Sequence, residues 1–292
     1  MSRVAILTDS NSGISQDEAK KLGIYVLPTP FYINDKLYYE GVNLTSDKFY
    51  KLQEKGADIK TSMPIVGDVM DMWNKLLEEY DEVIYIPLSS GLSASCQTAI
   101  NMASEEPYCD RVFVVNNQRI SVTMKLSVLE AKHLADEKKT GEQIREYLEK
   151  TKFDSSIYLM VNTLDYLKKG GRITPAAAAI GSLLRIKPVL QIQGEKLDAY
   201  AKARTVKQAG EVMIEAITKD LSERFNDPDA RDSIIAMAYT RDTEQAEIIR
   251  EEVMRRFPGK SVVLEPLSLV VACHTGPGAI GMTASKSLIE EI

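Results

Sequence analysis

Four serines within seven residues, Ser89, Ser90, Ser93 and Ser95, follow an apolar run that stops at Pro87. Each carries a hydroxyl donor, and the small residues beyond Leu92 suit a helix start, where the first N–H groups have no intrahelical partner. Hydroxyls and free N–H groups in one place hold an anion. Thr61 and Ser62 stand in a second polar turn, closed by Pro64 ahead of another helical pattern. Taken alone, an ordinary helix cap explains that pair more readily than a role as donors to the same anion. Arg172, behind Gly170-Gly171, and Arg204, in Lys202-Ala203-Arg204-Thr205, bring positive charge, though for either alone a solvated surface site is the default. Of the two histidines, His133 lies among Lys132 and Asp136 on a helical pattern and reads as surface. His274, separated from Gly276-Pro277-Gly278 by one residue, is better placed for chemistry.

Several chemistries compete for these residues. Gly91-Leu92-Ser93-Ala94-Ser95 resembles a nucleophile elbow whose last glycine is replaced, and His274 follows it in the order of an α/β-hydrolase base. A serine esterase using Ser93 and His274 is therefore the alternative to an anion-holding loop. Asp9, at the end of the first strand, suggests an aspartyl-phosphate nucleophile, but the second acid of the usual Asp-x-Asp is Asn11. Gly276-x-Gly278-x-x-Gly281 has the letters of a dinucleotide fingerprint. That reading needs a crossover helix, a further strand and an acid about 20 positions on, and only eleven residues follow Gly281. No Gly-x-x-x-x-Gly-Lys-[Ser/Thr] occurs, so ATP is not held by a P-loop.

The elements that must position these side chains follow from periodicity. Apolar, β-branched runs predict strands over 4–7, 24–27, 83–86 and 112–115, with polar turns between them and the following helices. Val66, Val69, Met70, Trp73, Leu76, Leu77 and Tyr80 recur at helical spacing, the clearest amphipathic pattern here. Ser46 is the expected cap of a helix to 54, and helices are expected over 15–22, 121–136 and 141–150, with another from Leu92. This alternation predicts an α/β fold whose N-terminal domain, 1–155, is a mostly parallel sheet with helices on both faces.

Residues 156–292 read as a second α/β domain with a mixed sheet. A strand covers 158–161 and a short helix capped by Thr163 stops at Gly170-Gly171. Thr174-Pro175 opens an alanine-rich helix to 184. Runs at 189–193 and 197–201 flank Gly194-Glu195, the one tight hairpin signal. Helices over 206–224 and 243–257 and strands over 234–239 and 262–265 complete a βαβ-like tail.

Composition excludes some classes. Over 292 residues the formal charge is -6, which argues against a nucleic-acid footprint. No apolar run reaches the ~18 residues of a membrane span, and Met1-Ser2-Arg3 leads straight into a strand pattern, so a cytoplasmic protein is expected. Cys96, Cys109 and Cys273 lack Cys-x-x-Cys spacing and read as small core residues of a reducing compartment. Two histidines outside any ligand motif leave little for a metal site, and neither metal nor cofactor is expected.

Seven motifs occur in order from about residue 3 to 283. They are Thr8-Asp9-Ser10, Thr61-Ser62-x-Pro64, Ser89-Ser90-Gly91-Leu92-Ser93, Leu167-x3-Gly171-Arg172-Ile173, Lys187-Pro188, Lys202-x-Arg204-Thr205 and His274-x-Gly276-Pro277-Gly278-Ala279-x-Gly281. Together they resemble the DegV family of bacterial fatty-acid-binding proteins. The resemblance implies a two-domain α/β protein that buries the tail of a long-chain fatty acid and holds its carboxylate at the domain junction. It further implies presentation of that carboxylate to a separate ATP-dependent fatty acid kinase subunit, toward phospholipid synthesis, so the chain would not itself be an enzyme. Thr61, Ser62 and Ser93 match the carboxylate-binding hydroxyls, His274 a nearby polar contact, and Arg172 and Arg204 a phosphotransfer surface. Where many members carry Gly-Thr or Gly-Ser after the loop serine, this chain has Ala94-Ser95, and Met63 and Ile65 are bulkier than the family pattern.

A carboxylate taken out of water needs hydrogen bonds, because a bare one costs several kcal/mol. Hydroxyls and N–H groups hold it without neutralising it, which keeps it nucleophilic toward a phosphoryl donor. At about 0.8 kcal/mol per buried methylene, a dozen carbons supply roughly 10 kcal/mol before association costs.

Overall fold

A computed structural model describes residues 2–180, 186–194, 196–290 and 292. The chain forms two compact units, residues 1–152 and 153–292. The first runs β1 (Val4–Asp9), α1 (Gln16–Leu22), β2 (Tyr25–Leu27), β3 (Pro30–Ile33), β4 (Lys36–Tyr39), α2 (Ser46–Glu54), β5 (Ile59–Thr61), α3 (Val66–Glu79), β6 (Glu82–Ile86), α4 (Ser95–Ala103), β7 (Val112–Val114), α5 (Ser121–Asp136) and α6 (Gly141–Lys150). The second runs β8 (Ser155–Met160), α7 (Asp165–Gly170), α8 (Pro175–Ile180), β9 (Lys187–Ile192), β10 (Asp198–Ala203), α9 (Val206–Glu223), β11 (Ser233–Tyr239), α10 (Glu244–Arg256), β12 (Val263–Pro266), α11 (Leu269–Thr275) and β13 (Ile280–Lys286).

In the first unit β1 and β6 are buried at every position after the first, as strands covered on both faces must be. They form the centre of a parallel sheet in the order β2-β1-β6-β7. Alternation sends Ala5, Leu7, Val83 and Tyr85 to the face packed by Val69, Trp73 and Leu76 of α3 and by Cys96 and Ala99 of α4. Ile6, Ile84 and Ile86 go to the other face, under Ala19 of α1, Val128 and Ala131 of α5, and Ile144 and Leu148 of α6. Trp73, fully buried, meets Tyr85 and Tyr108 edge to face at 6.0 and 5.1 Å between centroids, which pins α3 over β6. The parallel sheet with helices on both faces is thus as expected.

A small antiparallel sheet, β4-β3-β5, departs from the sequence reading. Asn34 and Asp35, at φ 47° and 62°, make the two-residue turn between β3 and β4, so Gly194-Glu195 is not the one tight hairpin signal. Thr61, expected in a turn, ends β5 opposite Phe31. Two helix starts also move: Thr45 rather than Ser46 caps α2, its hydroxyl accepting from Lys48 N, and α4 begins at Ser95 rather than Leu92.

The second unit is a six-stranded mixed sheet in the order β10-β9-β8-β13-β11-β12. Its core gathers Tyr158 and Met160, Met237, Met282 and Ala284 under Met213, Ile217 and Leu221 of α9 and Ile249 and Val253 of α10. The last strand, β13, was not expected from the sequence, yet it lies mid-sheet, antiparallel to both β8 and β11. Leu269–Thr275 form the helix α11, which leads into β13. The expected hairpin is present as antiparallel β9 and β10, with Gly194 at φ 90°, while Glu195 lies outside the described residues. The alanine-rich helix is described to residue 180, and its expected end at 184 lies outside the described residues. Cys96 and Cys273 are buried, but Cys109 is exposed rather than in a core. Among the described residues no helix is long and apolar enough to cross a membrane.

Candidate functional site

In the first unit two polar segments meet at the carboxyl edge of the parallel sheet. The chain leaves β1 for β2 on one side and returns by β6 on the other, so this edge between β1 and β6 is the switch point where ligands bind in open α/β sheets. Beyond β6 the chain turns on itself: Ser89 O accepts from Leu92 N and Ser93 N at 3.0 and 3.1 Å, and Ser89 Oγ accepts from Gly91 N. Ser93 Oγ then accepts from Ser95 N at 3.2 Å. With that lone pair engaged, the Ser93 O–H is left to donate, the polarity a carboxylate requires.

On the facing segment Ser62 N donates to Pro30 O at 3.2 Å, which ties the residue after β5 to the start of β3. Past Thr61 and Ser62, Met63 and Pro64 line a gap with Val66 and Val69 of α3, Tyr85 of β6, and Ser95, Thr98, Ala99 and Met102 of α4. The segments bearing Thr61 and Ser93, some thirty residues apart, therefore border one mostly apolar space. Its cavity volume of about 10 Å³ is room for little more than a water molecule and falls far short of the roughly 300–1,000 Å³ of a whole ligand site. Ser95 Oγ is buried there without a hydrogen-bond partner, a position the sequence reading used only as one serine among four.

In the second unit His274 sits on the last turn of α11 and packs on the end of α7. A Cβ built on Gly170 would lie 2.4 Å from His274 Nδ1, so only glycine lets the ring approach. Burial first, and then the nearby Arg172 charge, lower the His274 pKa to about 4, which leaves the imidazole neutral near pH 7. Arg172 itself donates to Gly170 O. Gly276, at φ 76°, is pressed against the Tyr166 ring, where a Cβ would come within 2.4 Å of Cδ2. Asn162 Nδ2 donates to Pro277 O at 3.0 Å and its Oδ1 accepts from Lys187 Nζ at 2.6 Å, fixing the glycine turn. The sequence carried no signal for Asn162, which lies 115 residues from its partner.

Arg172 and Arg204 are not brought together along the backbone. Arg172 O accepts from Leu197 N, just before β10, whereas Arg204 follows the last residue of that strand. At ~3.3 Å per residue, β10 puts about 20 Å of extended chain between them. Arg204 is exposed, its N–H donating to Gln208 Oε1 at 2.8 Å ahead of α9. His133 is exposed and 3.4 Å from Glu137, as expected of a surface residue.

The competing motifs lack their settings. Gly276 and Gly278 come after a helix and before a strand, with Gly281 already inside that strand, the reverse of a dinucleotide turn. Ser93 stands seven residues past the end of β6 and two before α4, in a longer connection than the sharp turn on which a nucleophile elbow places its serine. Among the described residues no group of His, Cys, Asp and Glu is gathered to hold a metal ion.

Comparison with known proteins supplies the remaining constraint. Residues 3–287 match the family described as "Uncharacterised protein, DegV family". A DegV domain-containing protein of Listeria innocua, lin2658, is 31% identical over 287 residues, covering 97% of this chain and 98% of that protein. A DegV family protein from Thermus thermophilus, solved as a fatty acid binder, superposes with a TM-score of 0.85 at 31% identity, covering 97% of this chain and 99% of the other. DegV from Bacillus subtilis, described as a fatty acid binding protein, gives 0.85 at 27% identity, covering 98% and 100%.

Proposed function

Since this chain belongs to the DegV family, we propose that it binds a long-chain fatty acid and presents the carboxylate to a separate ATP-dependent kinase subunit. The observation that carries the reading is the Ser93 hydroxyl, which accepts from Ser95 N–H and keeps its own O–H to donate, two residues before Ser95 on the wall of an apolar gap that Met63 and Pro64 also line. Thr61, Ser62 and Ser93 would hold the carboxylate, the gap would have to widen to take the first methylenes, and His274, neutral near pH 7, would add a polar contact without cancelling the ligand's charge. Arg172 and Arg204 would serve the phosphotransfer surface, where positive charge stabilises the transferred group. In this reading the chain carries no catalytic residue and needs no cofactor of its own, and it acts in the cytoplasm.

Native mass spectrometry of the protein purified from cells is expected to show one co-purified acyl chain. A tightly held nucleotide, or failure of the delipidated protein to take up a fatty acid, overturns the proposal. For the kinase partnership, Arg204→Ala is expected to keep its lipid and to lose acyl-phosphate formation when mixed with the kinase subunit and ATP; unchanged turnover removes Arg204 from that role.

A further inference from the structure

Asp9 ends β1 completely buried, and its carboxylate is met by three N–H groups. Leu88 N donates to Oδ2 at 2.9 Å, and Asn11 N and Nδ2 donate to Oδ1 at 2.8 and 2.7 Å. Withdrawal from water raises the pKa of this group, against the three hydrogen bonds that lower it. Such a corner is costly, and a second cost sits beside it: Asn11 Oδ1 is buried without a partner. One residue earlier the same two strands are joined more cheaply, by the Thr8 hydroxyl donating to Ile86 O at 2.9 Å. A charge buried where a hydroxyl would close the strands points to a demand other than stability.

The partners of Asp9 show what that demand is. Leu88 immediately precedes Ser89, whose carbonyl holds Ser93 N. Asn11 Nδ2 reaches Thr29 Oγ1 at 3.5 Å, and Thr29 N donates to Ser10 Oγ at 2.7 Å. Thr29 immediately precedes Pro30, whose carbonyl holds Ser62 N. Both hydroxyl-bearing segments are thus tied within a few covalent bonds to residues 9–11. We infer that Asp9 is a positioning residue: it fixes the spacing between the Ser93 loop and the β3–β5 arm that carries Thr61 and Ser62. The inference rests on the fatty-acid reading, because the spacing matters only if both arms grip one head group.

The test compares a fatty acid with the fatty alcohol of equal length, on the delipidated full chain at pH 8, by displacement of a fluorescent fatty-acid probe. The wild type is expected to prefer the acid about tenfold or more, the worth of one or two charge-assisted hydrogen bonds. Asp9→Asn keeps the volume but turns an N–H donor toward Leu88 N or Asn11 N. It is expected to weaken the acid about tenfold while the alcohol changes less than about twofold. A packing defect would weaken both ligands alike, so an unchanged acid-to-alcohol ratio overturns the inference. Should Asp9→Asn fail to show a cooperative thermal transition, Asn11→Ala, which leaves Asp9 and its bond to Leu88 in place, is expected to lower the ratio about threefold; no change in that ratio likewise overturns it. A wild type that binds both ligands without preference refutes the carboxylate clamp itself. That outcome is separable, because it is seen before any variant is made.

Discussion

The two units each place a polar, small-residue loop at the edge of a sheet, and they run those loops in opposite directions. In the first, the loop leaves a strand and enters a helix, from β6 to α4, and it is held by hydroxyl and N–H contacts that leave Ser93 free to donate. In the second, the loop leaves a helix and enters a strand, from α11 to β13; its Gly276 and Gly278 pack against Tyr166 and Asn162, and Gly170 at the end of α7 packs against His274 ahead of it. On the proposed reading, the first loop is therefore expected to lose a side chain with little loss of stability and a large loss of binding. The second has no side chain to lose at its glycines, and any added carbon strikes a neighbour. Similar composition thus produces the proposed ligand grip in one place and a packed mount for an imidazole in the other.

The largest effect expected from this contrast is on folding. Gly276→Ala adds a Cβ 2.4 Å from the Tyr166 ring at a positive φ, and overpacking with backbone strain is expected to cost about 2–4 kcal/mol in urea unfolding. Gly170→Ala, aimed at His274 Nδ1, is expected to cost about 1–3 kcal/mol. A neutral result at both positions would break the description of the second loop as a packed mount. Next in size, Ser93→Ala is expected to weaken fatty-acid binding about tenfold, by titration calorimetry, with stability changed by less than about 0.5 kcal/mol. Were stability to fall and affinity to hold, the first loop would be the structural one.

The smallest effect sharpens the contrast through pH. His274 has its pKa lowered to about 4 in the folded chain from an ordinary value of 6.5. Between those values the unfolded chain binds a proton that the folded chain refuses, so stability falls as the pH drops through that window and is unaffected above it. Asp9 has the opposite sign. Its folded pKa is raised above 3.8, so the folded chain keeps its proton to higher pH, and this group costs stability as the pH rises past 3.8. Urea midpoints from pH 4 to 7 are expected to slope less for His274→Gln than for the wild type, and more steeply upward for Asp9→Asn. Equal slopes in all three would show that neither buried group titrates as its surroundings dictate.

Local pattern made much of the architecture legible. The strand, turn and helix around Ser93 follow from β-branched residues stopping at Pro87 and small residues beyond Gly91, and α3 follows from apolar spacings of three and four that bury Val69, Trp73 and Leu76. Where the reading failed, the deciding contacts were nonlocal or the cue was short. Asn34-Asp35 is a hairpin cue of only two residues, hidden between a β3 that opens on Pro30 and a β4 whose side chains are half-buried or exposed. The seven residues of β13 look like a tail after a glycine turn, because their apolar and small side chains alternate weakly; pairing with β8 and β11 supplies the order that periodicity does not.

By itself, then, the sequence determined the α/β class, the parallel sheet of the first unit, the family and the candidate hydroxyls. Hydrophobic period, turn chemistry and ordered motifs are written along the chain. Only the tertiary structure decided that β13 lies mid-sheet, that Gly170 makes room for His274, and that Asp9 closes on Leu88 across 79 residues. Those outcomes depend on which surfaces meet once the elements have formed. A buried carboxylate and a missing Cβ acquire their meaning from neighbours that the order of residues does not name.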